Sequence, residues 1–421
     1  MTNWYLPDGL VYRKGRLRAE SVLVLGGQIA AFGAAADRLR AESTEKIRDF
    51  SAKGFLICRG FIDFHTHLRE PGFEAKGDIA SETKAAAAGG FTSVCPMPNT
   101  NPPLDSVAEL KKLEGLIAAK ARVKVHPIAA LTKGRQGAEL VDYAAFKKHG
   151  VHLFSDDGDP LEDDLACLAF QKVHEAGGIL INHLEDKSLV QRGFFYEEIP
   201  PESEYSMLAR DLKLAAQTNC PYHAAHLSCA ESVELIETAK KQGVPVTAEV
   251  TPHHLTLTFE DIKKPWGHFQ MKPPLRQRKD RAALVQGLAA GTVDLVATDH
   301  APHGEEKEKG LYPTSPFGVT GLETAFPVLY TKLVLAGKLT LERLLAALTA
   351  APAALLNEPP GLAPGMDADL VVLDLQAERA VGEKGYYSKG TNSPFAGEAL
   401  RGWPVLTLVS GKERYSAVNG A

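Results

Sequence analysis

The chain of 421 residues contains no hydrophobic run long enough to cross a membrane and no cluster of basic residues. A transmembrane helix needs about 20 consecutive apolar residues, so we expect no membrane partner. A net charge of −5 without basic clusters is not typical of a nucleic-acid-binding protein. The first residues, MTNWYLPDGLVYRKG, lack the segments of a secretory signal. These absences predict a cytoplasmic protein that acts on a small molecule.

Cysteine is scarce and scattered. The chain has five cysteines, an odd number, and none of them forms a C-x-x-C pair. This pattern argues against both a disulfide framework and a zinc site built on thiolates. Because unpaired cysteines are among the residues most often buried, we predict buried free thiols at Cys58, Cys95, Cys167, Cys220 and Cys229.

What the sequence has instead is an alternation of short apolar runs and amphipathic helical patterns from about residue 57 onward. Eight runs follow this pattern: FIDFHTH, FTSVCPMP, VKVHPIAAL, VHLFSDDG, GILINHLED, YHAAHLS, VPVTAEVTPHH and VDLVATDHAPH. Repeated strand–helix units are typical of a parallel sheet. Eight of them predict an α/β fold, a (β/α)8 TIM-like barrel over residues 57–359, with its functional groups at the carboxyl ends of the strands.

The two ends of the chain have a different pattern. Residues 1–56 include VLVLGGQIAAFG, and residues 360–421 include ADLVVLDL and VLTLVSG. These patterns indicate short strands separated by glycine-containing turns, without long helices. We predict that the two segments are the halves of one small β-domain packed against the barrel domain.

The segment GFIDFHTHLREPG, residues 60–72, has polar residues at every second position, namely Asp63, His65, His67 and Arg69. Alternate side chains of a strand point to opposite faces, so we expect these four on one face and the apolar row on the face that packs on the helices. His65 and His67 would lie ~7 Å apart, close enough to share a metal ion. An H-x-H pair is weak on its own, because a hydrogen-bonded polar strand face fits it as well.

Further metal-ligand candidates follow later strands. His183, His226 and Asp299 each lie at or just past the end of an apolar run, and FSDDG places Asp157 after the fourth run. Imidazoles and carboxylates without thiolates are typical of a catalytic Zn²⁺ site that stays open for substrate. Asp157 could bridge two metal ions.

Neighbouring residues have other interpretations. We expect Asp159 to be the N-cap of the next helix. Asp63 either orients a ligand histidine or approaches the metal, and Arg69 could simply pair with an acid at the rim such as Glu70. His253 and His254 are expected to be structural or to support ligands. The charged segment HGEEKEKG, residues 303–310, predicts a mobile lid.

Eight motifs in order, DFHTHLREPG, PMPNTNPP, FSDDG, HLED, EVTPHHL, PPLR, ATDHAPH and FGVTGLET, resemble a dihydroorotase of class I in the amidohydrolase superfamily. The resemblance runs from about residue 57 to 330, and the chain ends resemble the superfamily's small β-sandwich domain. It implies a zinc-dependent cyclic amidohydrolase that converts L-dihydroorotate and water reversibly to N-carbamoyl-L-aspartate in de novo pyrimidine biosynthesis.

The resemblance also implies a role for each site residue. Two zinc ions would be held by His65, His67, Asp157, His183, His226 and Asp299, with Asp157 shared between them. Asp299 would also be the catalytic residue, which carries a proton from the attacking hydroxide to the ring nitrogen. The substrate would be bound by Arg69, Asn99, Lys272, His303, Phe317 and Gly318. Lys272 departs from the family, which commonly has Asn at this position.

Two alternatives remain. An allantoinase or dihydropyrimidinase usually carries a carboxylated lysine at the metals, where this chain has FSDDG, and its substrate lacks a carboxylate for Arg69. A non-catalytic dihydroorotase-like partner of aspartate transcarbamoylase would have lost metal ligands, and none is missing. The sequence leaves open whether the chain forms a homo-oligomer or a complex with aspartate transcarbamoylase.

Overall fold

The computed structural model describes residues 2–190, 196–263, 266–308 and 315–417. The chain ends form one mixed sheet, and the middle of the chain alternates parallel strands with helices. The strands are, in chain order, β1 (Asn3–Arg13), β2 (Arg16–Leu25), β3 (Gln28–Phe32), β4 (Ile47–Asp49), β5 (Leu56–Arg59), β6 (Phe61–Thr66), β7 (Phe91–Pro96), β8 (Lys124–Val125), β9 (Leu153–Phe154), β10 (Ile179–Asn182), β11 (Tyr222–Ala224), β12 (Val246–Val250), β13 (Leu295–Val296), β14 (Leu370–Ala380), β15 (Ala399–Val409) and β16 (Lys412–Ser416).

The helices lie mostly between the parallel strands. They are α1 (Gly33–Glu42), α2 (Ile79–Ala88), α3 (Val107–Lys120), α4 (Tyr143–Lys148), α5 (Asp163–Glu175), α6 (Pro201–Thr218), α7 (Ala230–Lys241), α8 (Pro252–Thr256), α9 (Arg278–Ala290), α10 (Glu305–Glu308), α11 (Ala325–Leu329), α12 (Leu341–Leu348) and α13 (Ala350–Leu355). Capping side chains define several helix starts; for example, Asp78 accepts a hydrogen bond from the Ser81 N–H at 2.7 Å before α2. No helix in the described ranges combines the length and apolar character needed to cross a bilayer.

Strands from both chain ends form a single eight-stranded sheet in the order β16-β15-β14-β5-β1-β2-β3, with β4 paired to β1. The strand β5 belongs to this sheet, although its last residues lie just past the boundary predicted at residue 56. Trp4 is fully buried, and its Nε1–H donates to the carbonyl oxygen of Gly411 at 2.9 Å. This hydrogen bond joins β1 to the turn between β15 and β16.

Each of the eight predicted apolar runs contains one strand, β6 to β13, so the predicted α/β alternation is confirmed. The strands β6, β7 and β8 form one sheet, and β9 to β13 form another, with parallel pairing throughout. Isolated parallel bridges join Ala129 to Phe154 and Thr66 to His300, at the edges of these two sheets. Because neighbours run parallel, their carboxyl ends lie at a common edge.

The strand β6 does not keep the strict alternation predicted for it. Its pairing with β7 shifts register twice. Ile62 and Phe64 lie in an apolar cluster drawn mostly from other strands and the turns after them, among them Cys95, Leu153, Ile181 and Leu295. Phe61 instead stacks on Phe326 of α11, with 5.3 Å between ring centroids. Ala353 of α13 lies in the same cluster as Ile62 and Phe64, and Leu68 lies in a cluster with Ile79 of α2. The apolar row therefore packs on helices, as expected, but also on other strands, because the shifted register changes which side chains face them.

Two local predictions have different outcomes. All five cysteines are free thiols, four of them buried and Cys167 half-buried. The prediction that Asp159 caps the next helix is wrong, since α5 begins only at residue 163, with Glu162 at its N-cap position. The carboxylate of Asp159 is taken up by two cations instead, Arg135 at 2.7 Å and Lys187 at 2.8 Å.

Candidate metal centre and substrate pocket

Six buried side chains predicted to bind metal converge at the carboxyl edge of the parallel strands. They lie at or just after the ends of β6, β9, β10, β11 and β13, and they are His65, His67, Asp157, His183, His226 and Asp299. Parallel strands bring residues that are far apart in the chain to one edge. The structure therefore brings together the whole predicted set.

The carboxylate of Asp157 lies at the centre of this set. Its oxygens are 3.5 Å from His65 Nε2 and 3.8 Å from His67 Nε2. On the other side they are 3.8 Å from His183 Nδ1 and 4.0 Å from His226 Nε2. Asp157 thus faces two pairs of imidazoles, which is the position that a carboxylate shared between two metal ions would need.

Asp299 completes the first half of the set, and a pair of histidines forms the second. The Oδ1 atom of Asp299 is 3.1 Å from His67 Nε2 and 3.6 Å from His65 Nε2. Its backbone φ is 48°, a left-handed conformation that residues other than glycine seldom adopt and that clusters at functional sites. In the second half, His183 Nδ1 and His226 Nε2 face each other at 3.0 Å.

The spacing of these donor atoms fits a divalent metal ion. Tetrahedral ligands at zinc bond lengths of ~2.0–2.1 Å lie ~3.3–3.4 Å apart, and the carboxylate-to-imidazole distances here run from 3.1 to 4.0 Å. Among the described residues, the buried Nε2 of His65 has no hydrogen-bond partner. Two groups of three donor atoms each fit within 4.8 Å, namely His65, Asp157 and His226, and His65, His67 and Asp299.

The electrostatics of the site also favour a cation. Burial opposes ionisation of Asp157, but the four imidazoles around it bring its pKa below the usual value. Burial lowers the pKa of His65, whereas Glu249 and Asp157 raise it, to about 10 overall. Burial lowers the pKa of His226 to about 4, helped by the neighbouring imidazoles. The carboxylates thus attract positive charge, while His226 keeps a lone pair available for a ligand.

A cavity of about 180 Å³ opens over these residues. It is lined by His67, Arg69, Asn99, Asp157, Gly158, His183, His226, Lys272, Asp299, Ala301, Phe317 and Gly318. Five of the six residues predicted to bind substrate are in this lining. The sixth, His303, contacts two of them, because its Nε2 is 3.2 Å from Arg69 Nη2 and 2.7 Å from the carbonyl oxygen of Phe317.

Arg69 lines the cavity. Among the described residues, no carboxylate lies within 4.0 Å of its guanidinium nitrogens. Its Nε–H donates to the carbonyl oxygen of Pro302 at 3.2 Å, and its Nη2 lies beside His303. The alternative that Arg69 merely pairs with Glu70 is wrong, because Glu70 pairs with Lys120. The guanidinium is therefore available to an anion in the cavity.

Lys272, the departure from the family pattern, is held beside the cavity by two contacts. Its Nζ–H donates to Glu185 Oε1 at 3.1 Å, and Nζ lies 4.9 Å from the ring centroid of Phe317. Glu185 is buried and follows His183 in the HLED motif, and the sequence patterns did not predict its contact with Lys272. The ammonium of Lys272 thus lies at the cavity wall in a defined position.

Asn99 supports two of the metal-ligand candidates, a contact that the sequence analysis did not predict. Its Oδ1 accepts a hydrogen bond from His67 Nδ1–H at 3.0 Å, and its Nδ2–H donates to Asp157 Oδ2 at 3.1 Å. With Nδ1 of His67 held by Asn99, Nε2 is the ring nitrogen that faces Asp299, at 3.1 Å from its Oδ1.

Glu249 is a further residue at the site that the sequence patterns did not predict. It is fully buried on β12 and lies 2.8 Å from His65 Nδ1 and 3.1 Å from His223 Nε2. The sequence carried a signal for this residue, namely an acidic residue inside the apolar strand VTAEV. A buried acid needs hydrogen-bond partners, which indicates a role for it.

Asp63 takes neither of the two roles considered from the sequence. Its carboxylate accepts hydrogen bonds from the Thr298 N–H at 2.7 Å and the Thr298 hydroxyl at 2.5 Å, and so holds the residue before Asp299. His254 is structural, as expected, because its Nε2–H donates to the carbonyl oxygen of Pro273 at 3.0 Å.

The predicted lid, residues 303–310, is described as far as residue 308, and residues 309 and 310 lie outside the described part of the chain. Its described part includes α10, where Lys307 is buried and donates to the carbonyl oxygen of Gln270 at 2.8 Å. Closure over the site stays a prediction.

Known proteins of similar sequence identify the family of this chain. A model of the amidohydrolase family matches residues 56–414. A dihydroorotase from Geobacillus sp. (strain WCH70) is 44% identical over 423 residues, 97% of each chain. One from Halalkalibacterium halodurans is 43% identical over 417 residues, 96% of each chain. The chain therefore belongs to the amidohydrolase family. Within that family it groups with the dihydroorotases, and it is an enzyme that hydrolyses a cyclic amide.

Solved structures show the same fold. An L-hydantoinase (dihydropyrimidinase) from Arthrobacter aurescens has a TM-score of 0.89 at 25% identity, covering 98% of this chain and 96% of that one. A D-hydantoinase from a Bacillus sp. AR9 has a TM-score of 0.87 at 22% identity, covering 98% and 95%. At this level of identity the second likeness concerns the fold alone.

Proposed function

We propose that this enzyme is a zinc-dependent dihydroorotase, which interconverts L-dihydroorotate and water with N-carbamoyl-L-aspartate in de novo pyrimidine biosynthesis. The main support is one cavity whose lining combines five of the six metal-ligand candidates with the guanidinium of Arg69. Dihydroorotate is a cyclic amide that carries a carboxylate, so its reacting carbonyl and its charge match these two features. The relatives named dihydroorotase support the same substrate.

We propose two Zn²⁺ ions per chain. One would be held by His65, His67, Asp157 and Asp299, and the other by Asp157, His183 and His226. The group of His65, His67 and Asp299 supports the first set, and the distances of Asp157 from His183 and His226 support the second. When bound at such a site, Zn²⁺ lowers the pKa of water and polarises the carbonyl of a ring amide.

Asp299 is the group proposed to move the proton. In the hydrolytic direction its carboxylate takes a proton from the attacking water and passes it to the ring nitrogen that leaves; in synthesis the steps run in reverse. Burial opposes ionisation of Asp299, but the hydrogen bond from His67 and the charge of His65 bring its pKa far below the usual value. The carboxylate is therefore ionised at neutral pH, the state from which a group can take up a proton.

The other lining residues would position the substrate. Arg69 can hold the substrate carboxylate through two parallel N–H···O hydrogen bonds, with Asn99 and His303 beside it. The pyrimidine ring would be lined by Lys272, Phe317 and Gly318. Gly318 has a φ of 121°, which suits glycine and lets the backbone approach a ring closely.

The rival is an activity of the allantoinase or dihydropyrimidinase type, which the likeness to an L-hydantoinase favours. Its usual substrates would leave Arg69 without an anion. The purified protein is assayed with L-dihydroorotate, dihydrouracil and allantoin, and its bound zinc is measured by mass spectrometry. We expect zinc and the highest kcat/KM with dihydroorotate. A higher kcat/KM with dihydrouracil or allantoin would replace the proposal by the rival.

We also propose the finer architecture and setting. The two bridges at the sheet edges support a closed (β/α)8 barrel over residues 57–359. The sheet formed by strands from both chain ends supports a small β-sandwich domain from residues 1–56 and 360–421.

We propose a cytoplasmic enzyme. A non-catalytic partner subunit does not fit the six retained ligand candidates. The chain could form a homo-oligomer or a complex with aspartate transcarbamoylase. The mass measured by light scattering, with and without that enzyme, distinguishes a monomer, a homo-oligomer and a complex.

A further inference from the structure

Glu249, which has no part in the proposed chemistry, connects the two halves of the candidate metal centre. Its Oε1 accepts a hydrogen bond from His65 Nδ1–H at 2.8 Å and another from the backbone N–H of His226 at 3.3 Å. Its Oε2 accepts a hydrogen bond from His223 Nε2–H at 3.1 Å. One fully buried carboxylate therefore contacts a ligand candidate in each half.

The hydrogen bond from His65 determines which nitrogen of that ring is free. An imidazole that donates from Nδ1 can bind a metal ion only through Nε2. In His65, Nε2 is the atom that lies 3.5 Å from Asp157 and 3.6 Å from Asp299. Within the described ranges, no hydrogen bond occupies it. Glu249 thus holds the ring in the tautomer and rotation that a metal between these carboxylates requires.

The second contact restrains the backbone at His226. This residue has a φ of 30°, an unusual value for a residue other than glycine. Such conformations persist when surrounding contacts hold them, and the hydrogen bond from the His226 N–H to Glu249 is one of these contacts. The imidazole of His226 then faces His183, with 3.0 Å between the two nitrogens.

A purely structural explanation competes with this one. His223 is also fully buried, and its Nδ1 lies 2.7 Å from the hydroxyl oxygen of Thr247. On that explanation Glu249 serves only as the hydrogen-bond partner of His223 inside the sheet. Replacing Glu249 would then lower stability and leave metal affinity unchanged.

We propose that Glu249 is a positioning residue for metal binding, which orients His65 and restrains the backbone at His226. The proposal rests on the metal centre of the proposed function. Hydrogen-bond partners of metal ligands typically contribute ~10–100-fold in metal affinity. We expect Glu249→Gln to lower zinc affinity by such a factor, because the amide loses the charge and turns an N–H donor toward one of the imidazoles.

The test measures the zinc dissociation constant of the full chain by competition with a chromophoric chelator. Asp280→Asn is the matched control, because Asp280 is an equally buried carboxylate that accepts hydrogen bonds from the backbone N–H groups of Ala230 and Gln277, away from the site. We expect this control to bind zinc within about twofold of the unmodified protein, as distant sites usually act independently. The thermal midpoint without metal is measured for each protein.

The outcomes separate the two explanations. The positioning role would be overturned if Glu249→Gln bound zinc within about threefold of the unmodified protein while its thermal midpoint was lowered. If Glu249→Gln does not fold, Glu249→Asp replaces it, because Asp keeps the charge but withdraws the carboxylate by one methylene. Unchanged zinc affinity in that variant would equally overturn the proposal. If His65→Ala also retains zinc, the proposed metal centre itself is wrong.

Discussion

Replacing Arg69 by glutamine tests what the cavity binds. The guanidinium has five N–H donors, and its contacts in the described structure are with the carbonyl oxygen of Pro302 and with His303. Burial lowers the pKa of Arg69, so a substrate carboxylate here would form a desolvated pair rather than an exposed one. Loss of one partner of such a pair costs about 2–5 kcal/mol, or roughly 30- to several-thousand-fold in affinity or rate.

The assay compares kcat/KM of Arg69→Gln and the unmodified protein with L-dihydroorotate and with dihydrouracil, which lacks the carboxylate. We expect the large loss only with dihydroorotate. Arg69→Lys keeps the positive charge but loses the planar guanidinium that forms two parallel hydrogen bonds. It should therefore have more activity than Arg69→Gln and less than the unmodified protein. Zinc content and the thermal midpoint serve as controls for the fold. A loss of only a few-fold, typical of an exposed pair worth ~0.2–1 kcal/mol, or an equal loss with both substrates, would refute the reasoning.

Four further changes test other parts of the structure. His65→Ala should remove zinc and activity while the fold persists, because the stability of such a barrel resides elsewhere, as bound-metal analysis and circular dichroism will show. Asp299→Asn should lower kcat by ~10²-fold or more with little change in KM, since it removes the proton carrier. Lys272→Asn should raise KM several-fold at similar kcat, because the ammonium at the cavity wall is lost. Trp4→Ala should destabilise the chain by ~3–5 kcal/mol in denaturant unfolding.

Each of these expectations has a contrary outcome. Full activity in a zinc-free His65→Ala protein would exclude a metal-dependent reaction. Turnover of Asp299→Asn within a few-fold of normal would mean that another group moves the proton. An unchanged KM in Lys272→Asn would leave only the backbone of residue 272 in contact with substrate. A small effect of Trp4→Ala would mean that the burial of Trp4 and its hydrogen bond to Gly411 contribute little to the free energy of unfolding.

Sequence patterns predicted the strands of the middle segment well because strand and helix periodicity are local properties. The run VDLVATDHAPH, for example, contains β13 and places Asp299 just past its end. The same reasoning gave an incomplete account of β6, because its pairing with β7 shifts register and its apolar side chains contact other strands as well as helices. It also failed for Asp159, whose carboxylate pairs with Arg135 and Lys187, which are distant in sequence.

The sequence by itself determined the kinds of donor at the site and their order along the strands. Imidazoles, carboxylates and one arginine follow the apolar runs, and this order can be recognised without coordinates. Only the tertiary structure decided that Asp157 lies between two imidazole pairs, that Arg69 has no carboxylate beside it among the described residues, and that Glu249 joins both halves. Hydrogen bonds and ion pairs act over a few ångströms, so they depend on which strands become neighbours in space.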